Sequence, residues 1–256
     1  MRTGICEIWA ERDFGGVGDD SSLKQEGFGQ DFSERGRDWL RIFGSKSVEN
    51  LSWSLSGRAT SLNVTGLDDG LLSPSVGDLS ELRVLSLVGN MFSGEIPATV
   101  RNLRFLEVLE LQGNNFSGRV PTQMSFAFLQ SLKLVNLSGN AFSGSIVNEI
   151  IGYGSVKVVD LSNNQFSGVI PLNGTCDSLK HLKLSRNFLT GEIPSQIGKC
   201  RTLRTLLDRD DGGLNDGFRG EFNAFVGNIP HQVLLLPSLR VLWAPRANLG
   251  GRLPSG

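Results

Sequence analysis

Charged and polar residues recur along this chain at a nearly constant spacing, and their chemistry is that of binding. One set, which we call the basic row, holds six cations and one acid: Arg83, Glu107, Lys133, Lys157, Lys180, Arg204 and Arg240. A second set follows three residues later in each case: Ser86, Glu110, Asn136, Asp160, Lys183, Leu207 and Trp243. Lysine and arginine attract carboxylates, and acids and amides offer hydrogen-bonding groups to a polar partner.

Both sets belong to copies of one repeat, L-x-x-L-x-x-L-x-L-x-x-N-x-F/L-x-G-x-I/V/L-P. Copies begin at Leu79, Leu103, Leu129, Tyr153 and Cys176. The asparagine position is filled by Asn90, Asn114, Asn140, Asn164, Asn187 and Asn223, and then by Ala247. The successive spacings are 24, 26, 24, 23, 36 and 24 residues. This period and leucine pattern are typical of a leucine-rich-repeat solenoid.

The repeat predicts the fold because one copy cannot bury its own apolar face, so the core forms only when copies stack. Its alternating leucines predict a short strand with leucines inward and intervening residues outward. We therefore predict an α/β solenoid, a right-handed leucine-rich-repeat superhelix with a parallel concave sheet and a convex side rich in 3-10 helices and turns. The asparagines should form a ladder that satisfies buried backbone groups. The recurring aromatic residues should form a spine: Phe92, Phe116, Phe142, Phe166 and Phe225, with Leu189 and Leu249 as variants.

The pattern also divides the chain. We predict a disordered or poorly packed leader over 1–50, a degenerate N-terminal cap or first repeat over 51–78, and regular repeats over 79–206. An irregular insertion follows over 207–222, and further, truncated repeats occupy 223–256. The insertion is either a binding loop or a solvated excursion. Gly212 and Arg219 stand where a calcium loop needs oxygen ligands, so that match fails.

A ligand is expected on the outward face of the strands, where neighbouring repeats form one continuous surface. The candidate binding residues are Arg83, Glu110, Lys133, Asn136, Lys157, Asp160, Lys180, His181, Lys183 and Trp243. Two interpretations of the basic row remain open. It either holds an acidic or carboxylate-ended peptide, or it is a solvated flank that keeps the sheet soluble.

The remaining reactive and modifiable groups give weaker signals. Cys176 and Cys200 open adjacent repeats; parallel side chains on neighbouring coils seldom suit a disulfide, so we predict buried free thiols, with a bridge as the alternative. Glycosylation sequons occur at Asn50, Asn63, Asn115, Asn136 and Asn173. We expect Asn115 and Asn173 on turns outside the strand and Asn136 on the strand face.

Catalysis finds little support in the sequence. His181 and His231 are the only histidines, and neither has an evident nucleophilic partner. No zinc spacing, phosphate-binding loop or kinase motif is present, so we predict no cofactor and no metal. The formal net charge of -1 gives no bias toward nucleic acid, and no apolar run reaches about 18 residues.

The N-x-F-S-G-x-I-P units resemble those of plant leucine-rich-repeat receptor-like protein kinases. LLSPSVGDLSELRVLSL and LPSLRVLWAPRANLGGRLP resemble more narrowly the toadstool type, receptor-like protein kinase 2-like. The resemblance implies an extracellular ligand-binding solenoid at the plasma membrane, with a protein or peptide ligand and a co-receptor leucine-rich-repeat kinase as partners. The chain departs from the family in showing no signal peptide, membrane span or kinase, and in lacking the cap cysteines near Trp53.

Three function classes follow. The first is a ligand-sensing fragment of such a receptor, without its kinase, and the second is a soluble interaction protein resembling polygalacturonase inhibitors. The third is an enzyme, which would need a cluster of titratable residues that this sequence does not offer.

Overall fold

The structure is a computed structural model that describes residues 51–53, 58–66, 69–122, 129–148, 150–172, 174–207, 223–242 and 249, with 51–53 described for the backbone alone. The predicted leader over 1–50 and most of the predicted insertion over 207–222 lie outside these residues. The predicted division of the chain therefore stays a prediction.

The strand leucines build a nine-stranded sheet. Its members, in spatial order, are β1 (Leu51–Trp53), β2 (Ala59–Asn63), β4 (Val84–Ser86), β6 (Val108–Glu110), β8 (Leu134–Asn136), β10 (Val158–Asp160), β12 (His181–Lys183), β14 (Thr205–Leu206) and β16 (Val241–Leu242). Each strand pairs in parallel with the next, except that β1 pairs antiparallel with β2. The predicted parallel sheet is confirmed.

A second sheet of seven strands runs along the opposite side of each repeat, and the sequence analysis did not foresee it. Its strands are β3 (Gly70–Leu71), β5 (Phe92–Gly94), β7 (Asn115–Arg119), β9 (Ala141–Ser145), β11 (Gln165–Gly168), β13 (Phe188–Gly191) and β15 (Ala224–Phe225). All its pairings are parallel. The F-S-G segments form it because phenylalanine is buried while its neighbours face outward, which is a strand alternation.

Short helices connect the two sheets, in agreement with the predicted side rich in 3-10 helices and turns. In the described residues they are the 3-10 helices Pro74–Asp78, Ala98–Asn102 and Ser195–Lys199 and the α-helix His231–Leu234. Pro97, Pro194 and Pro230 lie at the N-caps, where a missing backbone N–H costs nothing. No helix in the described residues is long and apolar enough to cross a bilayer.

The asparagine ladder is confirmed for all six asparagines. Each side-chain nitrogen donates to a backbone carbonyl of the preceding coil, with bonds such as Asn114 to Leu87 at 2.6 Å and Asn223 to Leu184 at 2.7 Å. From Asn114 onward, each side-chain oxygen accepts the N–H of an aromatic-spine residue one coil back. The ladder therefore fixes coil-to-coil register through buried polar groups.

The aromatic spine is confirmed as well. Phe92, Phe116, Phe142 and Phe166 stack with successive ring centroids 5.9, 6.0 and 6.3 Å apart. Leu189 and Phe225 continue this buried column. The core is a line of repeated contacts between coils, as expected for a structure whose single repeat cannot bury itself.

The prediction of free thiols is wrong, because Cys176 and Cys200 form a disulfide with a Cα–Cα distance of 4.7 Å. The prediction assumed parallel side chains on equivalent backbones. Instead, Cys176 has a left-handed backbone with φ of 63°, whereas Cys200 ends a 3-10 helix with φ of -76°. This difference turns one Cα–Cβ bond toward the other coil.

Candidate functional site

The outward face of the nine-stranded sheet brings most of the predicted binding residues together. Register pairs Glu110 with Asn136, Asn136 with Asp160, and Asp160 with Lys183, so these four form one line across neighbouring coils. All four are half-buried. Trp243, the tenth predicted residue, lies outside the described residues, and its placement stays a prediction.

The basic row is continuous in space. A backbone N–H···O bond of 2.7 to 2.8 Å joins each member to the one before it, from Glu107 donating to Arg83 through to Arg240 donating to Arg204. Consecutive strands lie about 4.8 Å apart, so the row places one charged side chain at that interval. The predicted alignment of Arg83, Lys133, Lys157 and Lys180 is therefore present.

Glu107 partly offsets the positive charge in the N-terminal part of the basic row. Its carboxylate accepts a hydrogen bond from Lys133 and another, of 2.7 Å, from Arg83. These contacts, with the Lys133 bond the larger cause, hold the pKa of Glu107 below its usual value. A single acid thus serves the cations on both neighbouring coils.

The C-terminal part of the basic row differs. Among the described residues, Lys157, Lys180, Arg204 and Arg240 make no salt bridge. All but the half-buried Lys180 are exposed. Four like charges therefore occupy four consecutive coils of the same face.

The centre of the face beside these cations carries polar pairs. His181 Nδ1 lies 3.0 Å from Thr205 Oγ1, and Thr205 is buried. Lys183 Nζ lies 3.8 Å from Asp160 Oδ2. Sequence reasoning named His181, Lys183 and Asp160 but missed Thr205, which register aligns with His181.

An aliphatic line between the two polar sets was also missed. Val84, Val108, Leu134 and Val158 align in register and are half-buried. This line could have been found from the sequence. Each member follows a residue of the basic row and directly precedes an inward-facing strand residue, so strand alternation turns it outward. A partner on this face would contact apolar surface beside charge.

Three sequons lie in the described residues. Asn136 lies on the concave strand β8, as predicted, where its oxygen accepts from the Ser138 N–H at 3.1 Å. Asn115 is exposed but opens strand β7 of the second sheet, so its predicted placement on a turn is wrong. Asn63 ends β2, whereas Asn50 and Asn173 lie outside the described residues.

The described residues offer few other candidate sites for a ligand or a metal ion. A cleft of about 480 Å³ lies beside the second sheet, between the segment from Glu192 to Gln196 and Gly227, Asn228 and Pro230. It contains none of the predicted binding residues. In the part of the chain that the structure describes, no group of three His, Cys, Asp or Glu residues is placed to hold a metal ion.

Comparison with known proteins agrees with this architecture. The model of the Leucine Rich Repeat family matches residues 81–103, 155–174 and 178–200. A comparison with curated protein sequences found no significant match.

Solved structures extend the comparison. The ectodomain of the membrane receptor kinase GASSHO1/SCHENGEN3 from Arabidopsis thaliana, in complex with CASPARIAN STRIP INTEGRITY FACTOR 2, is 31% identical with a TM-score of 0.67, over 76% of this chain and 22% of that chain. The plant peptide hormone receptor RGFR1 in complex with RGF2 is 28% identical with a TM-score of 0.61, over 71% and 27%. Pollen Receptor Kinase 3 is 32% identical with a TM-score of 0.55, over 60% and 74%. The chain thus spans about a quarter of the first two.

Proposed function

Because this chain belongs to the leucine-rich-repeat proteins, we propose that it is the ligand-binding region of a plant cell-surface receptor-like kinase and senses a peptide or a co-receptor on its concave sheet. The observation that carries the proposal is the outward face of the nine-stranded sheet. It is continuous across the coils, and its charged and aliphatic lines are in register. A surface of this kind offers an extended partner the same contacts at every coil.

Two further observations support the proposal. The relatives include a plant peptide hormone receptor in complex with RGF2. The disulfide between Cys176 and Cys200 supports a location at the extracellular face of the plasma membrane, because disulfides persist in oxidising compartments. We include in this proposal that the receptor is of the toadstool type and that it is glycosylated.

A matched pair of asparagine substitutions tests the use of the concave face. Peptides selected from a random library by the purified chain are titrated against Asn136→Arg, which changes β8 of the concave sheet, and against Asn115→Arg, which changes β7 of the second sheet. Both variants add the same charge. We expect the concave variant to weaken binding about tenfold or more and the other to change it less than twofold.

Equal effects of the two variants would refute concave-face binding. The adjoining coding sequence separates the receptor from the soluble inhibitor-like protein. A downstream membrane helix and kinase frame supports the receptor, and a stop codon after a capping repeat supports the inhibitor.

A further inference from the structure

We infer that Lys157, Lys180, Arg204 and Arg240 form a subsite for an acidic peptide segment in the polyproline II conformation, with two carboxylates three residues apart. This inference rests on the proposed function and names the ligand chemistry of the same face. We call these four residues the cationic subsite.

The two parts of the basic row differ in whether an acid lies among the cations. Like charges opposite one another on neighbouring strands destabilise a sheet. Where the row begins, Glu107 lies between Arg83 and Lys133 and bonds to both, so opposite charges are neighbours there. From Lys157 to Arg240 the described residues supply no such acid, so an anionic partner would provide the missing counter-charge.

Among the described residues, no neighbouring acid forms an ion pair with the cationic subsite. Asp160, the acid of the adjacent line, lies 3.8 Å from Lys183. The strand positions directly after the four cations are Val158, His181, Thr205 and Val241. Val158 is half-buried and Val241 is 40% exposed, so apolar surface lies at both ends of the subsite. This combination suits a ligand that carries both carboxylates and apolar groups.

The spacing between the four cations determines which ligand conformation fits the subsite. Strands lie about 4.8 Å apart, so the midpoint between Lys157 and Lys180 is about 9.6 Å from the midpoint between Arg204 and Arg240. A polyproline II helix has three residues per turn and a rise of about 3.1 Å, so residues i and i+3 share a face about 9.3 Å apart. In a β-strand, same-face residues i and i+2 are only about 6.8 Å apart and i and i+4 about 13.6 Å.

Each carboxylate of such a segment would therefore lie between two cations. The first would accept hydrogen bonds from Lys157 and Lys180, and the second from Arg204 and Arg240. All four bonds would be charge-assisted, and proline rings on the remaining faces would contact Val158 and Val241 at the two ends of the subsite. The segment also loses little conformational entropy, because polyproline II is preformed.

Two fluorescein-labelled peptides of identical composition test the spacing. The matched peptide is Pro-Pro-Glu-Pro-Pro-Glu-Pro-Pro, and the control is Pro-Pro-Glu-Pro-Glu-Pro-Pro-Pro. Each is titrated with the full chain by fluorescence anisotropy. We expect the matched peptide to bind about tenfold more tightly, and its affinity to fall as sodium chloride is raised.

Paired variants test the residues. Lys180→Gln with Arg204→Gln should weaken binding of the matched peptide at least about tenfold. Lys199→Gln with Arg201→Gln changes net charge equally, at exposed positions outside the concave face, and should alter binding less than twofold. Thermal unfolding followed by circular dichroism checks that both double variants remain folded.

Several outcomes would overturn the inference. These are equal affinity for the two peptides, equal loss in the two double variants, or tighter binding of an acidic sugar oligomer at the same four cations. If library-selected peptides still lose affinity to Asn136→Arg but the matched peptide does not bind, the cationic subsite fails while the proposed function stands.

Discussion

Replacing Asn164 by alanine tests the physical basis of the stack. The side-chain nitrogen of Asn164 donates to the carbonyls of Leu137, Leu161 and Ser162 at 2.9, 3.2 and 3.1 Å. Its oxygen accepts the N–H of Phe142 at 3.0 Å. The side chain is buried, so water cannot readily replace these four bonds.

The expected loss of stability follows from the hydrogen bonds that each partner of Asn164 keeps in the variant. The three carbonyls each keep a second donor, which is Asn140 for Leu137, Asn187 for Leu161 and Gly139 for Ser162. The Phe142 N–H loses the acceptor that the structure gives it, and a buried unsatisfied donor costs about 1–3 kcal/mol. With weakened bonding at three carbonyls, we expect Asn164→Ala to lower the free energy of unfolding by about 3 kcal/mol.

Urea unfolding followed by circular dichroism measures the change, with Asn136→Ala as the matched control. Asn136 is half-buried, and its side chain bonds locally within the described residues, to the N–H and hydroxyl of Ser138, so its loss should cost less than about 1 kcal/mol. Hydrogen exchange at the Phe142 amide should also accelerate in Asn164→Ala. Equal unfolding midpoints for the two variants would refute the assignment of coil register to the buried ladder.

Three further predictions concern other contacts between coils. Phe116→Ala should cost about 3–5 kcal/mol in thermal or urea unfolding, and more than Phe166→Ala, because Phe116 stacks on phenylalanine at both sides whereas Leu189 follows Phe166. Cys200→Ser should lower the free energy of unfolding by about 3 kcal/mol, since the disulfide closes a loop of 24 residues; an unchanged melting temperature would restore the free-thiol prediction. Glu107→Gln should cost under about 1 kcal/mol at neutral pH, because the ion pairs are largely exposed. The folded pKa of Glu107 is lowered, so its contribution is present above the unfolded pKa of about 4.3 and is lost as pH falls through the folded value. Unfolding curves of the two proteins should therefore converge in acid.

Sequence was sufficient where a residue's role depends only on its place in the repeat. Asn114 and Phe116 could be assigned because every coil presents the same neighbour to the next, so a linear spacing of about 24 residues becomes a contact. For the same reason, the basic row was predicted in its spatial order. The second sheet was missed because glycine in F-S-G indicated a turn, although the phenylalanine and serine around it alternate as a strand does.

Local backbone geometry decided features that the repeat pattern does not specify. Gly144 illustrates this, since its φ of 77° strains any residue with a side chain, and an added Cβ would lie 3.0 Å from Arg119 Cγ. Cys176 has a left-handed backbone, and this orientation converts two expected thiols into a disulfide.

By itself the sequence determined the solenoid, its ladder and spine, and which residues share the concave face, because a period fixes coil-to-coil neighbours. Only the tertiary structure decided which of those neighbours interact. Glu107 lies within reach of both Arg83 and Lys133, whereas Lys157, Lys180, Arg204 and Arg240 meet no acid among the described residues. Side-chain reach and direction are three-dimensional quantities, and spacing along the chain does not contain them.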